Sequence, residues 1–577
     1  MENKMKYLVI GVVAIIIVAA VGVFLFQDND DDNDEGGVIV QKGSDTLLEL
    51  CQIWAEEYMA ENPAVEVEVS GGGSSTGITA LINGQVDVAQ ASRQIKASEI
   101  ESAQAAGFTP VEFKVAIDGI AIIVHTSNDV GVLTVEQLRG IYNGTYTNWN
   151  QVGGADEDIT LYGRQSTSGT YEYFWEHVLQ KENYSQDMNM LSGNSAIVAA
   201  VQGDAGGVGY VGIGYADASG INVLDLKADA ESEAFAPTDE SAVKSGKYDL
   251  SRYLYLYTKG TPTGIVKDYL RWIVNFDDGQ SLVGEIGFYE ISQNAYEDNL
   301  VKMGVTPASV TLTQKGSDTM LELCQIFSED FHEEFPWITV EITGGGSGTG
   351  ISALVNGQVD LAQASRSIKA SEIAAANANG VYPVEFKVAI DGIAVITNDD
   401  NGVTNLTKEQ LQGIYNGTYT NWNQVGGADL DITLYGRQSS SGTYVYFQEE
   451  ILDNENYSQD MNMLTGNSAI VNAVQGDAGG IGYIGIGYAS ASGIKVLDLR
   501  ETEADPTFSP LDEEAVLSGD YMLSRYLYIY TDGTPTDQVS RWMSWILSSD
   551  GGQSVVTEIG FYPLPQAVIE QEMAKLG

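Results

Sequence analysis

Residues 163–170 read GRQSTSGT, and residues 436–443 read GRQSSSGT. Each octet runs into an aromatic, helix-compatible segment, YEYFWEHVLQ at 171–180 after the first. Gly and hydroxyl residues at the first turn of a helix leave backbone N–H groups without intrahelical partners, and the helix dipole favours an anion there. Arg164, ahead of Ser168-Gly169-Thr170, adds a planar, permanently charged fork suited to a tetrahedral oxyanion. The octet therefore predicts one wall of an oxyanion pocket, written twice in one chain.

The repetition extends outward from the octet at a constant offset of 273 residues. IYNGTYTNWNQVGGAD at 141–156 is identical at 414–429, and FKVAIDGIA at 113–121 recurs at 386–394. Residues 39–304 return as 312–577, a full domain each rather than a solenoid repeat, with 305–311 as a short linker. Within a unit, VEVEVS, GGGSSTGITALINGQ and VDVAQAS read as strand, Gly-rich turn with helix, and strand. FKVAIDGIAIIVH reads as a strand pair or one long strand, and VEQLRGIYNG as a helix ended by Asn-Gly. This alternation predicts an α/β domain with mostly parallel sheets, each unit split into two lobes.

The N-terminus sets the expected topology. Lys4 and Lys6 precede an unbroken apolar stretch of 20 residues, Tyr7 to Phe26, long enough to span a bilayer and longer than a usual signal-peptide core. Lysines before it and the acidic run Asp28 to Glu35 after it place residues 1–6 in the cytoplasm and the bulk outside. Residues 7–26 are thus expected as a single-pass anchor, with a cleaved signal as the alternative, and 27–38 as an acidic linker. No cysteine lies near the end of the stretch, which argues against a lipid anchor.

Composition narrows the function classes. The net charge of -52 over 577 residues excludes nucleic acid as a partner, because phosphate backbones need Lys and Arg, and it fits a salty habitat. His125 corresponds to Asn398 and His177 to Glu450, so the histidines make no repeated metal site. No cofactor and no metal are expected, and neither a paired metal cluster nor a Ser-His-Asp set is repeated, which argues against an enzyme. Cys51 and Cys324, one per unit, read as buried core thiols. Aromatic stretches such as YEYFWEHV and SRYLYLYT read as core and lobe-interface packing.

Two further helix starts share the grammar of the octet: Ser44-Asp45-Thr46 before LLELCQIW, and GGGSSTG at 71–77, with Ser74, before ITALINGQ. Ile78 stands where a P-loop needs lysine, so the second is not a nucleotide site. Alone, each is an ordinary helix cap. Both copies keep the set, as Ser317-Asp318-Thr319, Ser347, and Arg437 with Ser441-Gly442-Thr443.

In order, GSDT, GGGSSTG, QASR, AIDGIA, NGTYTNWNQVGG, GRQSTSGT and GGVGYVGIGYA resemble the phosphate-binding proteins of ABC phosphate importers over essentially all of both units. The resemblance implies two tandem two-lobed domains of the type II periplasmic-binding-protein fold. Each would close on one dehydrated phosphate, held by Ser44 to Thr46, Ser74, Arg164, Ser168, Gly169 and Thr170 or their second-copy equivalents. It further implies inorganic phosphate as ligand and an ABC permease as partner. One departure stands out. The family ends its second strand with an Asp that accepts the proton of hydrogen phosphate, whereas QASR places Arg93 and Arg366 there. A carboxylate acceptor is the means of rejecting unprotonated sulfate. Asp118 and Asp391, or Asp45 and Asp318, are the candidate replacements; the competing expectation is that Asp45 caps its helix and Asp118 braces Arg93. A surface adhesion or sensing module, and a ligand such as sulfate or tungstate, are the alternatives.

Overall fold

The computed structural model describes residues 36–577. The expected cytoplasmic terminus and membrane anchor, and most of the acidic linker, lie outside the described residues. Among the described residues no helix is long and apolar enough to cross a membrane.

Strand β1 (Gly37–Gly43) buries Ile39 and Gln41 on one face, as its alternation demands, and leads into α1 (Leu48–Glu61). That helix buries Leu50, Cys51, Trp54, Ala55 and Tyr58 along one side. Strands β2 (Val65–Ser70) and β3 (Val88–Ala91) flank β1 in parallel, with α2 (Ser74–Ile82) crossing between them and α3 (Ala97–Ala105) following.

The centre of the unit is β4 (Val111–His125), a single strand buried without a break from Val115 to Val124. Its continuous apolar run, interrupted by Asp118 and Gly119, is what a strand covered on both faces requires. Beyond it come β5 (Val132–Thr134), α4 (Val135–Tyr142), β6 (Thr160–Arg164), α5 (Gly169–His177), β7 (Asn189–Leu191), α6 (Asn194–Gln202), β8 (Gly207–Gly212), β9 (Ile221–Lys227) and β10 (Ser251–Thr258). The sheet order is β2-β1-β3-β10-β4-β8-β6-β7, with β5 paired to β9 and β9 to β4.

The sheets are mixed, not mostly parallel. Strand β10 runs antiparallel to β3 and β4, and β8 and β9 run antiparallel to β4. The physical reason is the double use of β4. Its first part, Val111 to Gly119, pairs with β10 in one lobe, and its second, Ile120 to Val124, pairs with β8 in the other. The chain leaves the first lobe once along β4 and returns along β10, so the strands at the crossing are antiparallel while the βαβ units on either side stay parallel.

The second unit repeats this order with strands Ile338–Thr343, Val310–Gly316, Leu361–Ala364, Ser524–Asp532, Pro383–Asn398, Gly480–Gly485, Thr433–Arg437 and Asn462–Leu464. Cys51 and Cys324 are buried free thiols, and burial pushes both well above the usual thiol range. Where the units meet, Arg541 donates to Asp298 Oδ1 and to the Asn294 carbonyl, both at 2.8 Å, and lies 4.9 Å over the Phe335 ring. Trp337 Nε1 donates to Glu297 Oε2 at 3.0 Å. The positions equivalent to Arg541, Phe335 and Trp337 in the first unit are Asp268, Asn62 and Ala64, so the contact is made where the copies differ.

Candidate anion-binding site

The predicted segments converge where the lobes face each other. Thr46, after β1, and Thr170, on α5, bring their hydroxyls within 3.1 Å across the cleft. Gly73 adopts a φ of 92°, and a Cβ there would stand 2.6 Å from the Thr167 carbonyl of the opposite lobe. A Cβ on Gly169 would fall 2.4 Å from Ser74 Oγ and 2.6 Å from Ser92 Oγ. Glycine at these two positions is what lets the lobes approach.

Ser44, Thr46, Ser74, Ser92, Arg164, Ser168 and Thr170 are all buried. Ser168 caps α5, its hydroxyl accepting from Thr170 N at 3.1 Å. Arg164, at the end of β6, is 1% exposed and donates through Nη1 to Asn194 Oδ1 at 2.8 Å. Its Nη2 is 3.5 Å from Asp45 Oδ2. Burial lowers the Arg164 pKa from the usual guanidinium range, and Asp45 opposes that shift. The Tyr210 hydroxyl accepts from the Arg164 backbone N–H at 3.1 Å, and burial is the main cause that pushes this phenol up to about 12.

Asp45 does not cap α1, which starts without a side-chain cap bond. Its Oδ1 instead accepts from Gly72 N at 2.9 Å, tying the Gly-rich turn to Arg164. Asp118 does not brace Arg93. It is fully buried at the lobe crossing, where its Oδ2 accepts from Arg252 Nε and Nη2 at 3.0 and 2.7 Å and its Oδ1 from Ile213 N at 3.0 Å. Burial pushes this carboxyl above its usual range while Arg252 pulls it down, and two guanidinium donors on one oxygen are the geometry of an ionised pair. Arg93 is held to Glu99 by donors at 2.9 and 2.7 Å and to Ser75 Oγ at 3.0 Å. None of its hydrogen bonds reaches Thr46, Thr170 or Arg164. It lines a neighbouring groove of about 630 Å³ with Lys96, Tyr173, His177 and Arg252.

The residue that the sequence reading missed is Arg252. It is the second residue of β10, within SRYLYLYT, and donates to Thr170 Oγ1 at 2.9 Å and to the Ser92 carbonyl at 2.8 Å. Asn194 was missed as well. The available signal was the retention of a cation and an amide at Arg525 and Asn467 in the second copy.

That copy reproduces the cluster. Thr319 and Thr443 stand 3.0 Å apart, Arg437 donates to Asn467 at 2.8 Å, and Arg525 donates to Asp391 at 3.1 and 2.7 Å and to Thr443 at 2.9 Å. Asp318 Oδ2 lies 3.7 Å from Arg437, and Ser317, Ser347 and Ser441 are buried. Arg366 is bound to Glu372 as Arg93 is to Glu99, and Gly442 opens its helix as Gly169 does. Several buried donors lack an acceptor: Arg164 Nε and Asn194 Nδ2 in the first unit, Asn467 Nδ2 and Arg525 Nη1 in the second. Unpaired donors beside two guanidinium groups fit a ligand made of acceptors.

The sequence matches the PBP superfamily domain over residues 30–276 and again over 303–550. It is 33% identical over 285 residues to the phosphate-binding protein PstS of Pseudomonas aeruginosa PAO1, a match covering 47% of this chain and 88% of that protein. It is 29% identical over 272 residues to the phosphate-binding protein PstS of Bacillus subtilis strain 168, covering 47% and 86%. Among solved structures, an ABC-type phosphate transport receptor from Vibrio cholerae is 29% identical, with a TM-score of 0.38, covering 44% of this chain and 100% of that one.

Proposed function

Since the chain belongs to the PBP superfamily, as a tandem of two units related to the phosphate-binding proteins of ABC importers, we propose that each unit closes on one inorganic phosphate. The observation that carries this reading is the buried pair of arginines, Arg164 and Arg252, meeting the Thr46–Thr170 contact across the cleft, with the same set in the second copy. Arg164, with Ser44, Thr46, Ser74, Ser168 and the first N–H groups of α5, supplies donors from both lobes, and the closed cleft replaces water with fixed dipoles. The chain is a binding protein and not an enzyme. Held outside the cell by residues 7–26, it would present phosphate to an ABC permease; stimulation of that permease's ATPase by the loaded chain is the test of delivery.

The proton of hydrogen phosphate needs an acceptor. Asp45 Oδ2 supports that role best, because both guanidinium bonds of Arg252 fall on Asp118 Oδ2, while Asp45 Oδ2 has only the 3.5 Å approach of Arg164. Asp318 would serve the second unit. Calorimetric titration of the whole chain should give two phosphates bound. Arg164→Ala and Arg437→Ala should each remove one, and Asp45→Asn should narrow the preference for phosphate over sulfate in the first site. Two phosphates still bound after both arginine changes would refute the reading.

A further inference from the structure

At the mouth of the cleft the two copies part company. Lys96 stands on the first lobe, just before α3, and its Nζ lies 2.6 Å from Glu172 Oε1 on α5 of the second lobe. Glu172 is 14% exposed there and Lys96 38%, so the carboxylate is shielded from water while the ammonium stays partly open to it. In the second unit the residue equivalent to Glu172 is Val445. Lys369 instead approaches Glu449 at 3.8 Å, with both side chains more than 40% exposed.

Charge alone does not separate the two mouths. Lys96, Glu172 and Glu176 carry the same formal sum as Lys369, Glu449 and Glu450. What differs is where the carboxylate stands. Glu172 is two residues past Thr170, in the first turn of α5, so its bond to Lys96 ties the two lobes together within one turn of the helix start that forms the site wall. Glu449 lies about one turn further along its helix, where a long, solvent-screened contact contributes little.

We propose that the two anion sites are unequal, with Lys96 and Glu172 forming a latch between the lobes that slows ligand release from the first unit and is lacking in the second. This rests on the reading of both units as phosphate sites. The second copy already carries valine at this helix position, so Glu172→Val is a change the fold accommodates.

The test uses the full chain with one site silenced at a time. In Arg437→Ala only the first site binds, and in Arg164→Ala only the second. Stopped-flow release of phosphate should be about two- to fivefold slower from the first site at low salt, in line with a partly shielded ion pair. Glu172→Val should erase that difference, Val445→Glu should slow the second site, and molar salt should bring the two rates together. Equal release from both sites, or no effect of Glu172→Val, overturns the latch. If the unaltered chain took up no phosphate at all, the function would fall, and the latch would be read without ligand. Spin-label pairs across the lobes should then give a narrower distance distribution in the first unit than in the second, broadened by Glu172→Val; equal widths would overturn it.

Discussion

Replacing Arg252 by methionine removes the only side-chain hydrogen bonds, among the described residues, to a carboxylate buried at the crossing between lobes. Asp118 is 0% exposed and Arg252 6%, and both guanidinium bonds go to Oδ2. Truncating one partner of such a pair costs about 3–5 kcal/mol, because the remaining charge is left uncompensated. For a unit of this size each kcal/mol shifts the midpoint by about 2–4 °C, so the first unit's transition should fall by about 6–20 °C in scanning calorimetry. The pH dependence has a definite sign. Burial already raises the Asp118 carboxyl, and loss of the guanidinium raises it further. The folded state then holds a proton more tightly than the unfolded chain, so stability falls as pH climbs from the unfolded value near about 4 through the raised folded value. The deficit of Arg252→Met relative to the unaltered chain should therefore shrink from pH 8 to pH 5. Arg525→Met should do the same to the second unit's transition. A shift below about 2 °C, or a deficit equal at the two pH values, would refute the account of the pair.

Two other perturbations test the geometry. Gly73→Ala puts a Cβ 2.6 Å from the Thr167 carbonyl at a φ of 92°, so it should cost about 1–2 kcal/mol in thermal unfolding and abolish phosphate binding at the first site while sparing the second. Arg541→Asp, which copies the first unit's Asp268, sets a carboxylate against Asp298; small-angle scattering should show a longer maximum dimension, and an unchanged profile would argue that the linker alone orients the units.

Much of the candidate site was readable because it is local. Arg164 with Ser168-Gly169-Thr170, Ser44 to Thr46 and Ser74 each sit where a strand hands over to a helix, and short-range rules recognise such places. The burial of Cys51 followed from its place among Leu50, Trp54 and Tyr58 at helical spacing, and that of Cys324 from Leu323, Phe327 and Phe331. Arg93 illustrates the limit. Its position at the end of a strand suggested the anion, yet Glu99, reaching back from the first turn of α3, holds its guanidinium. Arg252 illustrates the converse. Surrounded by tyrosines and leucine in an alternating strand, it reads as core packing, and its work depends on a partner 134 positions away.

The sequence alone determined the doubling, the α/β class and the residue types gathered in the candidate anion site, because identity at a fixed offset, hydrophobic period and helix-start composition are properties of neighbouring residues. Tertiary structure decided which charges face one another. The pairing of β4 with β10 in one lobe and β8 in the other brings Asp118 against Arg252, and closure of the lobes sets Thr46 against Thr170 and Lys96 against Glu172. An ion pair's strength depends on distance and on exclusion of water, and both are set by how distant segments pack.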